Sequence, residues 1–138
     1  PLAKIKMDIH DIPFPENTFD VIFCNHVLEH VQDDEKALSE MLRVLKPGGW
    51  AILQIPIFKP LIDQTIEDPT LKDPKKRAEL FGQDDHVRMY GKDYADRIRS
   101  TGFDVIEEHF ITELAPSLVK KHALPEGEII HRAIKPNQ

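Results

Sequence analysis

The chain is short of the residues that mark most specialised protein classes. One cysteine, Cys24, in 138 residues excludes an internal disulfide. Its place in an apolar run makes it a core thiol in a reducing compartment. No apolar run approaches the roughly 20 residues that cross a bilayer as a helix. No charged-then-apolar leader opens the chain, so a cytoplasmic location without a membrane partner is expected. Positive charge is scarce as well: 18 Lys and Arg stand against 24 Asp and Glu, a formal net charge of −6. Nucleic acid rewards clustered cations, so a small-molecule partner is expected in its place. The six glycines lie at 48, 49, 82, 91, 102 and 127, so no glycine-rich strand-to-helix turn occurs in the first third of the sequence.

What is present is the composition of one soluble domain, 41% hydrophobic and 30% charged, enough to bury a core. Ala3 to Ile9 alternates loosely as a strand would, and the prolines of Asp11 to Asn17 make a loop. Phe19 to Cys24 is nearly continuously apolar and reads as a parallel strand covered on both faces. From Asp33 the period changes: Leu38, Met41, Leu42 and Leu45 share a helical face, with Lys36, Glu40 and Arg43 off it. Acidic residues open this helix and Arg43 and Lys46 close it, as the dipole favours. Pro47-Gly48-Gly49 is expected to stop it before a strand from Trp50 to Ile57. Strand, helix, strand makes one right-handed crossover unit.

Residues 59 to 91 break this rhythm and are expected to form an insertion or lid, with a helix from Pro74 to Phe81 between the cap Asp73 and the stop Gly82. Asp93 is expected to cap a helix through Thr101, with Gly102 at its C-terminal end. Phe103 to Ile111 and Glu128 to Lys135 read as two polar strands at a sheet edge, with Pro125-Glu126-Gly127 helping to turn the chain between them.

The runs Asp8-Ile9-His10-Asp11-Ile12-Pro13-Phe14, Asn17-Thr18-Phe19-Asp20-Val21-Ile22, His26-Val27-Leu28-Glu29-His30-Val31 and Arg43-Val44-Leu45-Lys46-Pro47-Gly48-Gly49 resemble, in order and spacing, the seven-stranded class I S-adenosylmethionine-dependent methyltransferases of the small-molecule branch. The resemblance implies an α/β fold, a partial Rossmann-like sheet of that family's strands 3 to 7 with helices on both faces. It implies methyl transfer from S-adenosyl-L-methionine to a small-molecule acceptor that the sequence does not identify. Asp8 would receive the adenine amino group, which a carboxylate can accept, and the backbone of Ile9 would meet the ring. Cys24, Asn25 and His26 would line the methionine end, at the carboxyl end of a parallel strand where such sheets bind ligands. The cofactor carries the reactivity, so the protein needs to align the acceptor and remove a proton. His26 and His86 are candidate bases, and Arg88 and Tyr90 of the Asp85 to Tyr90 segment are candidate acceptor contacts.

Departures from the family shape three further expectations. The family's first strand, its glycine-rich turn and the acidic residue of its second strand have no counterpart, so the chain reads as the C-terminal part of a methyltransferase domain and as inactive alone. In the family's strand order, 3-2-1-4-5-7-6, the inner edge of the Phe19 to Cys24 strand would then be open. Coverage by the Ala3 to Ile9 strand, or self-association with a second copy, is expected there. An alternative is a non-catalytic interaction module on a degenerate methyltransferase fold. His26-Val27-Leu28-Glu29-His30 also spells the H-x-x-E-H pattern of inverted zinc peptidases. That pattern needs a helix, and the helix signal starts only near Asp33, so no metal site is expected.

Overall fold

A computed structural model describes residues 4–125 and 127–137. Ala3, at the start of the expected first strand, and Glu126, in the expected turn, lie outside the described residues. The elements in order are β1 (Phe19–Asn25), α1 (Asp34–Val44), β2 (Leu45–Gln54), β3 (Ile66–Glu67), α2 (Pro74–Phe81), β4 (Arg88–Met89), α3 (Tyr94–Ser100), β5 (Asp104–Glu108), α4 (Phe110–Glu113), α5 (Pro116–Lys121) and β6 (Ile130–Ile134). Four strands make the main sheet in the order β1-β2-β6-β5, the 4-5-7-6 half of the sheet order given above. β1 and β2 are parallel, and β6 runs antiparallel to both β2 and β5.

The register sorts the side chains by face. Ile22 and Cys24 of β1 lie level with Ala51 and Leu53 of β2, and Ala51 with Ala133 of β6. These residues, with Leu38, Met41 and Val44 of α1 and Ile98 of α3, form the core. The opposite face carries Val21, Phe23 and Ile106, all exposed, with Phe23 edge-on to Trp50 at 5.8 Å. Of the helices expected on both faces, α1 and α3 contact each other over the core face.

Local chemistry accounts for the helix ends. Asp33 caps α1 by accepting from Lys36 N at 2.8 Å. Asp73 caps α2, and Gly82 closes it in the left-handed region, φ 88°. Asp93 precedes α3 without capping it. Its carboxylate accepts instead from both the backbone and the hydroxyl of Thr65, which ties the insertion to the start of α3.

Several expectations need correction. α1 ends at Val44, and Pro47-Gly48-Gly49 lies inside β2. Between the pairs Phe19–Leu45 and Val21–Trp50, two steps along β1 match five along β2, so the Pro-Gly-Gly run is a bulge. Gly49 is required there because a Cβ would fall 2.9 Å from Lys46 O and 3.0 Å from Asp20 O. Residues 4 to 7 are not in a strand, and Asp8 makes only an isolated bridge to Asp11. No described strand therefore covers the outer edge of β1. Phe103 to Ile111 is strand only over β5, after which the chain turns into α4. Glu40, placed off the apolar face of its helix, is buried. Its carboxylate accepts from Ile12 N while Arg43 bonds both Glu40 and the carbonyls of Ile12 and Phe14. One helix-borne ion pair thus fastens the loop after residue 8 to α1.

Candidate active site

Parallel strands end their polar backbone in a row, so the loop after β1 meets the end of β2. His26 stands there with a left-handed backbone, φ 54°, uncommon for a residue with a Cβ and frequent at functional sites. Its N–H donates to Gln54 O at 2.8 Å, which locks the two strand ends together. Its ring is 56% exposed and lies 3.6 Å from the Glu29 carboxylate. His26 lines an open cleft of about 490 Å³ with Ile55, Pro56, Ile57, Lys59 and Glu128 among its walls. Gln54 donates to Glu128 Oε1 and to Ile129 O, both at 2.9 Å, fixing the far wall.

The next residue, Val27, lines a different cleft. This one, open and about 630 Å³, is bounded by Asp8, Ile9, His10, Val27 and Val31 together with Lys6 and Met7. His10 accepts from Asp33 N through Nε2 at 3.4 Å, so Nδ1 carries the ring proton and donates to Asp8 Oδ1 at 2.7 Å. Bonds from the backbone N–H and ring of His10 hold the Asp8 carboxyl below its ordinary value. Asp8 is therefore a carboxylate with a second oxygen left over, beside the apolar side chains of Ile9, Val27 and Val31. This donor set fits the adenine of S-adenosylmethionine, a flat ring edged by an amino group. Cys24 is buried, and burial pushes its thiol up to about 12, so it stays neutral and lines neither cleft. Asn25 is exposed at the end of β1.

The 86–90 segment departs from expectation. Arg88 is 1% exposed. Its guanidinium donates to the carbonyls of Leu28, Val31 and Gln32 and to Glu67. The Tyr90 hydroxyl donates to Asp34 Oδ2 at 2.6 Å, and burial pushes its phenol well up. Neither side chain faces a cleft, because both satisfy buried oxygens at the turn before α1. Burial raises the cost of charge on Asp34, yet hydrogen bonds from Arg97 and Tyr90 and the charge of Arg88 hold its carboxyl below the ordinary range. His86, itself part of the insertion, is fully buried and lines neither cleft.

His26 to His30 is a turn rather than a helix, so the two histidines do not present the paired ligands of an inverted zinc peptidase. Glu29 is 2% exposed, and its burial had no signal in the sequence. Its carbonyl accepts from Val87 N at 2.9 Å, pinning the turn to the insertion. Lys59 and Glu128 were also missed as cleft residues, since Lys59 opens the expected insertion and Glu128 the expected last strand, and neither pattern says which cleft its first residue walls.

Comparison with known proteins agrees with this architecture. Residues 2–53 match the methyltransferase domain family. The ubiquinone/menaquinone biosynthesis C-methyltransferase UbiE of Cronobacter sakazakii is 45% identical over 60 residues, 41% of this chain and 24% of that protein. UbiE of Idiomarina loihiensis is 47% identical over 57 residues, 41% and 22% of the two chains. The match spans about a quarter of these curated relatives. Among solved structures, YcgJ of Bacillus subtilis superposes with a TM-score of 0.56 at 17% identity over 94% of this chain and 69% of that one. The 1,6-didemethyltoxoflavin-N1-methyltransferase of Burkholderia thailandensis, solved with S-adenosylhomocysteine, gives 0.60 at 13% identity over 96% and 50%. The fold is that of the Rossmann-like methyltransferases. Residues 2–53 carry the likeness to the methyltransferase domain family in sequence, and most of the chain carries it in fold.

Proposed function

We propose that this chain provides the adenine and acceptor sides of a site that transfers a methyl group from S-adenosylmethionine to a small-molecule acceptor. The observation that carries the reading is the loop after β1, where consecutive residues line two clefts, Val27 the one bearing Asp8 and His26 the one walled by Ile55 to Ile57. Asp8 would accept from the adenine amino group and Ile9 would meet the ring, with Asn25 and Cys24 beside the methionine end. The cofactor, when bound, supplies an electrophilic methyl on sulfur. His26, exposed and beside a buried carboxylate, is the group that takes a proton from the acceptor. The apolar walls from Ile55 to Ile57 would pack against the acceptor, and the insertion, through Lys59, selects it. A carbon acceptor is the reading the UbiE relatives favour, because those proteins are C-methyltransferases.

The test is titration calorimetry of S-adenosylhomocysteine into this chain and into the full reading frame that carries it. Binding by the reading frame, with Asp8→Ala weakening it, supports the site. Absence of binding in both favours the interaction-module alternative.

A further inference from the structure

Glu29, His30 and His86 gather in one place, and none of them lines either cleft. Each offers a ligand atom, and the three atoms lie within 4.8 Å of one another. We propose that they form a binding site for a divalent transition-metal cation of the zinc type, which shares with the methyltransferase reading only the Glu29 carboxylate beside His26.

The proton positions carry the argument. His86 Nδ1 lies 3.0 Å from Phe81 O. A carbonyl only accepts, so Nδ1 holds the ring proton and Nε2 holds a lone pair. That Nε2 is buried and has no hydrogen-bond partner among the described residues, and Glu29 Oε2 is in the same condition. His30 Nδ1 faces the Asp85 carboxylate at 3.2 Å, leaving its Nε2 3.9 Å from Glu29 Oε1. Both imidazoles thus have one nitrogen held by an oxygen acceptor and the other left bare, the outer-shell arrangement that orients metal-binding histidines. Bare lone pairs buried beside a carboxylate are costly without a positive partner. A cation supplies that partner, drawing the three atoms in to bonds of about 2.0–2.2 Å. Two imidazoles with one carboxylate suit zinc and its transition-metal neighbours, whereas magnesium and calcium prefer an all-oxygen shell.

The site differs from the H-x-x-E-H reading in using His86, 56 residues beyond His30, where that reading used His26. Nothing in the sequence spacing brings His86 here. The contact exists because Val87 N bonds Glu29 O and Arg88 grips the same turn.

The experiment is titration of the chelator-stripped chain with Zn²⁺ by calorimetry and with Co²⁺ by visible absorption. The expected result is one saturable equivalent, cobalt bands of a nitrogen and oxygen shell, and a raised melting temperature. His86→Ala is expected to compromise folding, because His86 packs in the interior against the Phe58 and His30 rings. The partly exposed His30 therefore carries the test. His30→Ala and Glu29→Gln, with folding checked by circular dichroism, are expected to weaken binding roughly tenfold or more. His122→Ala, an exposed histidine in a distant segment, leaves it unchanged. No saturable binding up to about 1 mM Zn²⁺ overturns the proposal, as does equal affinity in His30→Ala and Glu29→Gln.

Discussion

The turn before α1 meets the insertion at two adjacent places, and the two are opposite in character. At Asp34, Arg88, Tyr90 and Arg97 the buried polar side chains are matched, with Arg88 capping three carbonyls and Asp34 held by Arg97 and Tyr90. Two residues back along the insertion, at His86, and across at Glu29, buried polar atoms have no partner among the described residues. The difference teaches where to look for a site, because a satisfied network rigidifies, while an unsatisfied one leaves polar atoms for a water or a ligand to meet.

The comparison can be broken most forcefully on its matched side. Arg88→Met leaves Glu67 and three carbonyls short of their donor and removes the positive charge 3.8 Å from Asp34, and is expected to cost about 3–5 kcal/mol, read by urea denaturation. A loss under about 1 kcal/mol would show that the network is not structural.

A second contrast concerns the edges of the sheet. β5 lines its outer edge with Asp104, Glu107 and Glu108, whereas β1 exposes Val21 and Phe23, the latter 69% exposed. Charged edges resist pairing and apolar ones invite it. Concentration-dependent association, followed by sedimentation, is therefore expected to disappear in Phe23→Lys and to persist in Ile106→Lys.

The Glu40–Arg43 pair extends the matched class to the Asp8 side. The Arg43 hydrogen bonds lower Glu40 from an ordinary 4.5 to about 2. A carboxyl depressed on folding contributes stability that is whole above about pH 4.5 and is lost as pH falls toward 2. Urea midpoints between pH 5 and pH 3 are expected to fall further in the native chain than in Glu40→Gln.

The smallest effect belongs to the unmatched side. His30→Ala, without metal, is expected to change stability by less than about 1 kcal/mol, because its ring is partly exposed and its carboxylate partner Asp85 is in solvent.

Much of the sheet was legible because Phe19 to Cys24 and Trp50 to Gln54 carry strand patterns that burial on the core face enforces. Helix α2 was legible in full, since Asp73, Pro74 and Gly82 each act locally. The bulge at Pro47-Gly48-Gly49 was not, because a strand register is decided by the neighbouring strand. Ala3 to Ile9 alternates as a strand does, yet alternation cannot supply a partner to pair with. Arg88 and Tyr90 were mistaken for acceptor contacts for a related reason. Polar residues in a loop resemble a surface until the carbonyls of Leu28 and Val31 and the carboxylate of Asp34, more than fifty residues away, are seen to need them.

The most direct test of the methyltransferase account is the base preference at Asp8, measured in the full reading frame by comparing S-adenosylhomocysteine with S-inosylhomocysteine. Inosine replaces the amino donor with a carbonyl, which a carboxylate repels. The account predicts roughly tenfold or greater preference for the adenine ligand, narrowed in Asp8→Asn, whose amide can donate to that carbonyl. Equal affinity for the two ligands, or an unchanged preference in Asp8→Asn, would contradict it.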